Sequence, residues 1–150
     1  MKRPVLKVED HPFFSDLDAE YIDRLNDLAE ETEFEPRDII FREGTTEQTV
    51  YLIFEGKVAI ETKSNHKGLI KIHIIDAGEV LGWSWFFPPY ECHFDARSLE
   101  FTKALALDCL GLRALSDKDH DFGYYLLRKI ASITVQRLTW TRSQLAEYYR

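Results

Sequence analysis

A sandwich or barrel of short antiparallel strands, entered through one helix and left through another, is the fold class that three features of this 150-residue chain predict. Between residue 33 and residue 108 the sequence consists of short runs rich in Val, Ile, Phe and Tyr, cut at close intervals by Gly, Asn, Asp and Lys. The segments on either side carry apolar residues at helical spacing instead.

The length fits one domain over residues 1–150, able to bury roughly two-thirds of its unfolded surface without a disulfide or a metal. A net charge of −7 removes the basic character that gives non-specific affinity for phosphate backbones, so no direct nucleic-acid partner is expected. Cys92 and Cys109 follow no metal-ligand spacing, and Met1-Lys2-Arg3-Pro4 leads into no apolar signal segment. No apolar run is long enough to cross a bilayer. The expectation is a cytoplasmic protein with no membrane partner.

In chain order, Leu17, Tyr21, Ile22, Leu25, Leu28 and Ala29 form one helical stripe, which predicts a helix over residues 16–32 with Ser15 or Asp18 as its cap and Phe34 and Pro36 beyond its end. Strands follow at residues 38–42, 49–54 and 58–63, separated by turns at residues 43–45 and 55–57. Residues 64–68 make a polar hairpin tip carrying His66. In residues 69–75, alternation places Ile70, Ile72 and Ile74 on one face and Lys71 and His73 on the wet one, so neither His73 nor His66 is expected to serve a ligand.

Residues 78–97 break this rhythm. A Gly78–Glu79 turn opens into Trp83, Ser84, Trp85, Phe86 and Phe87, then Pro88–Pro89, Tyr90 and a polar run through Cys92, His93, Asp95 and Arg97. Flat apolar rings beside a few polar handles suit a ligand pocket. Residues 94–99 and 102–107 then read as two strand segments, and helical signals return over residues 112–148.

The last helix, residues 124–148 from Tyr124 to Tyr148, has two stripes. Leu127, Ala131, Thr134, Leu138, Thr141, Leu145 and Tyr148 repeat at alternating spacings of four and three, the seam of a coiled coil; Leu126, Ile130, Ile133 and Trp140 run beside it. A homodimer joined through this helix is expected, one stripe packing on the barrel and the other on a second copy. A single broad core face in a monomer is the alternative.

Three motifs, Asp38-Ile39-Ile40-Phe41-Arg42-Glu43-Gly44, Val50-Tyr51-Leu52-Ile53-Phe54-Glu55-Gly56-Lys57-Val58 and Ile74-Ile75-Asp76-Ala77-Gly78-Glu79-Val80-Leu81-Gly82, resemble the signals of the cyclic-nucleotide-binding domain in order and spacing. That family supplies the effector module of the cyclic AMP receptor protein and FNR-type regulators, of protein kinase A regulatory subunits and of cyclic-nucleotide-gated channels. The resemblance implies a double-stranded β-helix, or jelly roll, of about eight antiparallel strands with an N-terminal and a long C-terminal helix. It identifies residues 78–97 as the phosphate-binding cassette, where a short helix offers backbone N–H groups to the cyclic phosphate. In the family a Glu holds the ribose and an Arg followed by Ser or Thr pairs the phosphate.

The cassette departs from that pattern. With Gly82 on the family's Gly, Trp83 replaces the Glu, and Cys92-His93 stand where Arg-Ser is expected, leaving Arg97 to match a later arginine. A gapped alignment returns Arg97-Ser98 to the clamp but leaves the next strand short. On the last helix, Thr141 and Arg142 take the place of the Thr-Ser pair that reaches the purine.

Cyclic AMP is therefore not the expected ligand. The candidate ligand residues are Gly82, Trp83, Ser84, Trp85, Cys92, His93, Arg97, Thr141 and Arg142, and the ligand class they suit is a nucleotide-like or aromatic anion. No cofactor is called for: an iron–sulfur cluster lacks its cysteines, a metal site lacks a histidine triad, and no nucleophile–base pair suggests an enzyme. No DNA-reading helix-turn-helix is expected in a chain that stops at Arg150. Two functions remain: a regulatory ligand sensor that signals to a protein partner through its last helix, or an interaction and dimerisation scaffold whose pocket is plugged by Trp83 and Trp85.

Overall fold

The computed structural model describes residues 5–45 and 48–149. By contacts the chain divides after Leu112 into two compact units.

The first unit is a β-roll. Two 3-10 turns, Val8–Asp10 and Pro12–Phe14, precede helix α1, Ala19–Leu28. The strands are β1 (Ala29–Phe34), β2 (Ile39–Phe41), β3 (Thr49–Glu55), β4 (Lys57–Ser64), β5 (Gly68–Asp76), β6 (Val80–Leu81), β7 (Asp95–Ser98) and β8 (Thr102–Asp108). They form two four-stranded antiparallel sheets, ordered β1-β8-β3-β6 and β2-β7-β4-β5. These eight strands with their flanking helices are the expected jelly roll.

Alternating residues of both sheets make the core. Val50, Leu52, Ile53, Val58, Ile75, Leu105 and Leu107 are all buried. Between β3 and β4 the chain changes sheet at Gly56, whose φ is +101° and whose missing Cβ would fall against the Phe101 carbonyl and Thr102. Only glycine fits both the dihedral and the approach.

Two expectations are corrected here. The helix predicted over residues 16–32 spans only Ala19–Leu28, because Ala29 to Phe34 pair residue by residue with Leu107 to Thr102 of β8. Local Glu and Ala favour helix, but the ladder satisfies the same backbone groups and buries Ala29 as well. Asp18 is the N-cap residue, with no side-chain hydrogen bond to the helix.

The second correction concerns β5. His73 lies opposite the buried Ile60, while Lys71 lies opposite Glu61, so the ladder is irregular at Ile72. Residues paired across a ladder share a face, which puts His73 on the core side with Ile60 instead of on the wet side. Ile70, Ile72 and Ile74 are exposed and do not form one inward row.

Helix α2, Cys109–Lys118, begins directly after β8 and is longer than the turn expected at residues 112–115. It crosses the boundary between the units. In the second unit helix α3 spans His120–Tyr148, four residues earlier in its start than the predicted 124, because the Asp119 carboxylate accepts from the Asp121 and Phe122 N–H groups. Gly123 lies against Ser116 of α2, where a Cβ would come within 3.1 Å of the Ser116 carbonyl. Of the two stripes on α3, the one expected to pack on the barrel is buried only at Leu126 and Ile130, with Ile133 half-buried and Trp140 exposed, whereas Leu127, Leu138, Leu145 and Tyr148 of the seam are exposed. Among the described residues no helix is long and apolar enough to cross a membrane.

Candidate functional site

The cassette hangs between β6 and β7. A turn launches it: Gly78 N–H donates to the Ile53 carbonyl at 2.8 Å, Ile53 N–H to the Glu79 carbonyl at 3.1 Å, and the Glu79 carboxylate accepts from Asp76 N–H. After β6, Gly82 adopts φ +101°, and a Cβ there would lie 2.5 Å from the Thr49 carbonyl and 3.2 Å from the Trp85 ring. A single-residue reversal this tight sends the chain into the 3-10 turn Trp83–Phe86.

Trp85 points into the roll and is 0% exposed. Its ring meets Phe41 of β2 edge to face at 4.8 Å, and Phe41 in turn meets Phe94 at 5.5 Å. The Trp85 N–H of the backbone donates to the Gly82 carbonyl, so that amide is used within the turn. Trp83 turns the other way, onto Phe13 at 5.2 Å and Phe86 at 6.3 Å. It is buried too, and its indole N–H has no hydrogen-bond partner among the described residues.

The return limb passes through Pro88–Pro89 and Tyr90, whose φ is +60°, to Cys92. Cys92 is buried, its carbonyl accepts from Gly44 N–H and its thiol donates to the Phe94 carbonyl at 3.2 Å. Burial pushes the thiol pKa up from its ordinary 9.0, partly offset by the hydrogen bond to the Phe94 backbone. At neutral pH the position expected to hold the phosphate-pairing Arg therefore carries an uncharged thiol. Cys109, the other free thiol, is buried at the start of α2.

His93 is exposed at the cassette rim. Asp95, almost fully buried, accepts from Glu43 N–H at 2.7 Å and so ties the cassette's end to the turn after β2. Arg97 lies on β7 opposite Ala59. Its Nε is 3.0 Å from Glu61 Oε1 and its Nη1 donates to the Arg37 carbonyl at 3.3 Å. Neighbouring Ser98 donates its hydroxyl to the Glu35 and Asp38 carbonyls.

The fold thus gathers Gly82, Trp83, Ser84, Trp85, Cys92, His93 and Arg97 into one connected segment of the first unit. Thr141 and Arg142 belong to α3 in the second unit, where Thr141 donates its hydroxyl to the Arg137 carbonyl one turn back. Three participants went unmarked in the sequence: Phe41, Phe94 and Glu61. Phe41 sits at the inward beat of the Ile39-Ile40-Phe41 run, a readable signal, but nothing local pairs it with Trp85 or Glu61 with Arg97.

A model of the cyclic nucleotide-binding domain family matches residues 31–119, more than half of the chain. No curated protein matches it. Among solved structures, a cyclic nucleotide-binding domain from Methylobacillus flagellatus is 17% identical with a TM-score of 0.80, over 94% of this chain and 79% of that one. The Thermus thermophilus catabolite activator protein is 22% identical with a TM-score of 0.71, over 92% of this chain and 63% of its own. The regulatory subunit of a cAMP-independent protein kinase A from Trypanosoma brucei is 24% identical with a TM-score of 0.62, over 81% and 48%. At such identities the likeness is one of fold. Because the family model spans β2 to β8, the segment between β6 and β7 included, the chain belongs to the cyclic nucleotide-binding domain family.

Proposed function

We propose that this is a regulatory domain that works without a cyclic phosphate, its cassette filled by its own Trp85, and that it acts on a protein partner as a homodimer joined through α3. The observation that carries this reading is Trp85, fully buried against Phe41 where the cassette turns into the roll. The charges agree with it. Cys92 offers a neutral thiol, and the Arg97 guanidinium is already held by Glu61 and the Arg37 carbonyl. An Arg–phosphate hydrogen bond contributes about 1.5–3 kcal/mol, which a bound cyclic nucleotide would forgo here. The likeness in fold to the regulatory subunit of a cAMP-independent protein kinase A from Trypanosoma brucei supports the reading.

Thermal denaturation in the presence of cyclic AMP and cyclic GMP tests the reading. A ligand at 100 times its Kd adds about 2.7 kcal/mol and raises the midpoint by several degrees. Millimolar nucleotide is expected to leave it unchanged, and a saturable rise would overturn the proposal.

A second reading, a pocket for an aromatic ligand, is favoured by Trp83, whose buried indole N–H has no acceptor among the described residues. Unmet donors of this kind are rare in folded proteins and suit a ligand's acceptor. Native mass spectrometry of the purified protein separates the two: a retained mass lost in Trp83→Phe supports the pocket, and a bare polypeptide supports the filled cassette.

A further inference from the structure

Strand β5 is an outer strand of its sheet, nine residues long and paired on one side with β4. Its other side presents backbone donors and acceptors in a row, a template that folded proteins usually shorten, cover or charge. Leu69, Ile70, Ile72 and Ile74 are each more than a third exposed along it. These apolar residues do not share one face. Ile74 lies opposite Ala59 and Leu69 opposite Lys63, while Ile70 lies opposite Thr62, with the irregularity at Ile72 between them. A flat surface laid on either face would leave part of the row uncovered. A strand added at the edge, with side chains alternating up and down, reaches both.

Charge selects the strand. Residues 62–75 contain Lys63, Lys67 and Lys71 and no Asp or Glu, in a chain whose net charge is −7. All three lysines are exposed. The nearest acids are engaged elsewhere, Glu61 by Arg97 and Asp76 by Lys57 at 2.6 Å. The same lysines oppose pairing of β5 with β5 of a second copy, which would set like charges side by side.

We propose that the free edge of β5 accepts an added strand from a partner protein, an extended segment that alternates apolar and acidic residues. Main-chain bonds supply the affinity, the isoleucines take the apolar side chains and the lysines set the preference for acid.

The test uses the full chain and two fluorescein-labelled synthetic peptides of about twelve residues, matching the reach of a nine-residue strand, one alternating valine with glutamate and the other valine with lysine. Fluorescence anisotropy should show saturable binding of the glutamate peptide, about tenfold tighter than the lysine peptide and about tenfold weaker for Lys67→Glu/Lys71→Glu. Both positions are exposed, and circular dichroism checks that the variant stays folded. On the wild-type protein, amide chemical shifts induced by the peptide should concentrate in residues 68–76. The proposal is overturned by no saturable binding, by equal binding of the two peptides, or by shifts centred elsewhere. Self-association in sedimentation velocity that Ile72→Arg abolishes would assign the edge to a second copy and overturn it equally.

Discussion

Trp85 occupies the centre of the candidate site, and its energetics can be measured. Removing a buried tryptophan forfeits its transfer free energy and leaves a cavity, so Trp85→Ala should lower stability by about 3–5 kcal/mol in urea unfolding. Trp85→Phe, which keeps a ring against Phe41, should cost much less. Equal losses would mean that a ring against Phe41 contributes nothing at this position. A second residue-scale expectation concerns His11, fully buried, with Nε2 on the Ile53 carbonyl at 3.0 Å and Nδ1 accepting from Phe13 N–H. Burial lowers its pKa from the ordinary 6.5, outweighing the hydrogen bonds to the Ile53 and Glu79 backbone. The unfolded chain therefore binds the proton more readily, and the stability that neutral His11 contributes is full above about pH 6.5 and declines as the pH falls below it. The thermal midpoint of the wild type should drop between pH 7 and pH 5, and His11→Asn should flatten that slope while lowering stability at pH 7. An unchanged slope in the variant would remove His11 from the account.

Among the elements, the ones read well from sequence were those whose signal is local and repeated. The alternation of four and three along the last helix marked Leu127, Leu138, Leu145 and Tyr148, and all four are exposed, as are Tyr124, Val135 and Trp140, which lie outside that seam. Gly78 and Gly82 marked the cassette, and their φ of +90° and +101° is a conformation glycine adopts most readily. Errors arose where a distant partner decided the outcome. Residues 29–32 look helical by propensity and belong to β1 because β8 offers a ladder, and His73 faces the core because an irregularity opposite β4 resets the alternation. The Trp85–Phe41 contact joins segments far apart in sequence, so spacing showed that aromatic residues gather in the cassette but not which of them fills it. Two predictions belong at this scale. Gly82→Ala should destabilise the cassette strongly, since its Cβ would fall 2.5 Å from the Thr49 carbonyl, whereas Gly44→Ala meets no atom of the described residues within 4 Å and should cost little beyond the dihedral. If α3 is the dimer seam, Leu138→Asp should yield a monomer in sedimentation equilibrium with the fold intact, and a wild type already monomeric would contradict it.

At the scale of the whole molecule, the family fold holds a segment between β6 and β7 in which Trp85 is fully buried, Cys92 carries a neutral thiol and Arg97 is held by Glu61. In the proposed function such a domain has its ordered state built in, with Trp85 in the place of a ligand. The indole N–H resonance of Trp85, assigned through Trp85→Phe and followed by nuclear magnetic resonance while cyclic AMP is added to millimolar concentration, tests this most directly. A self-filled cassette predicts that the resonance keeps its position and its slow exchange with solvent; a saturable shift, or exchange that quickens as nucleotide binds, would show Trp85 displaced and contradict it.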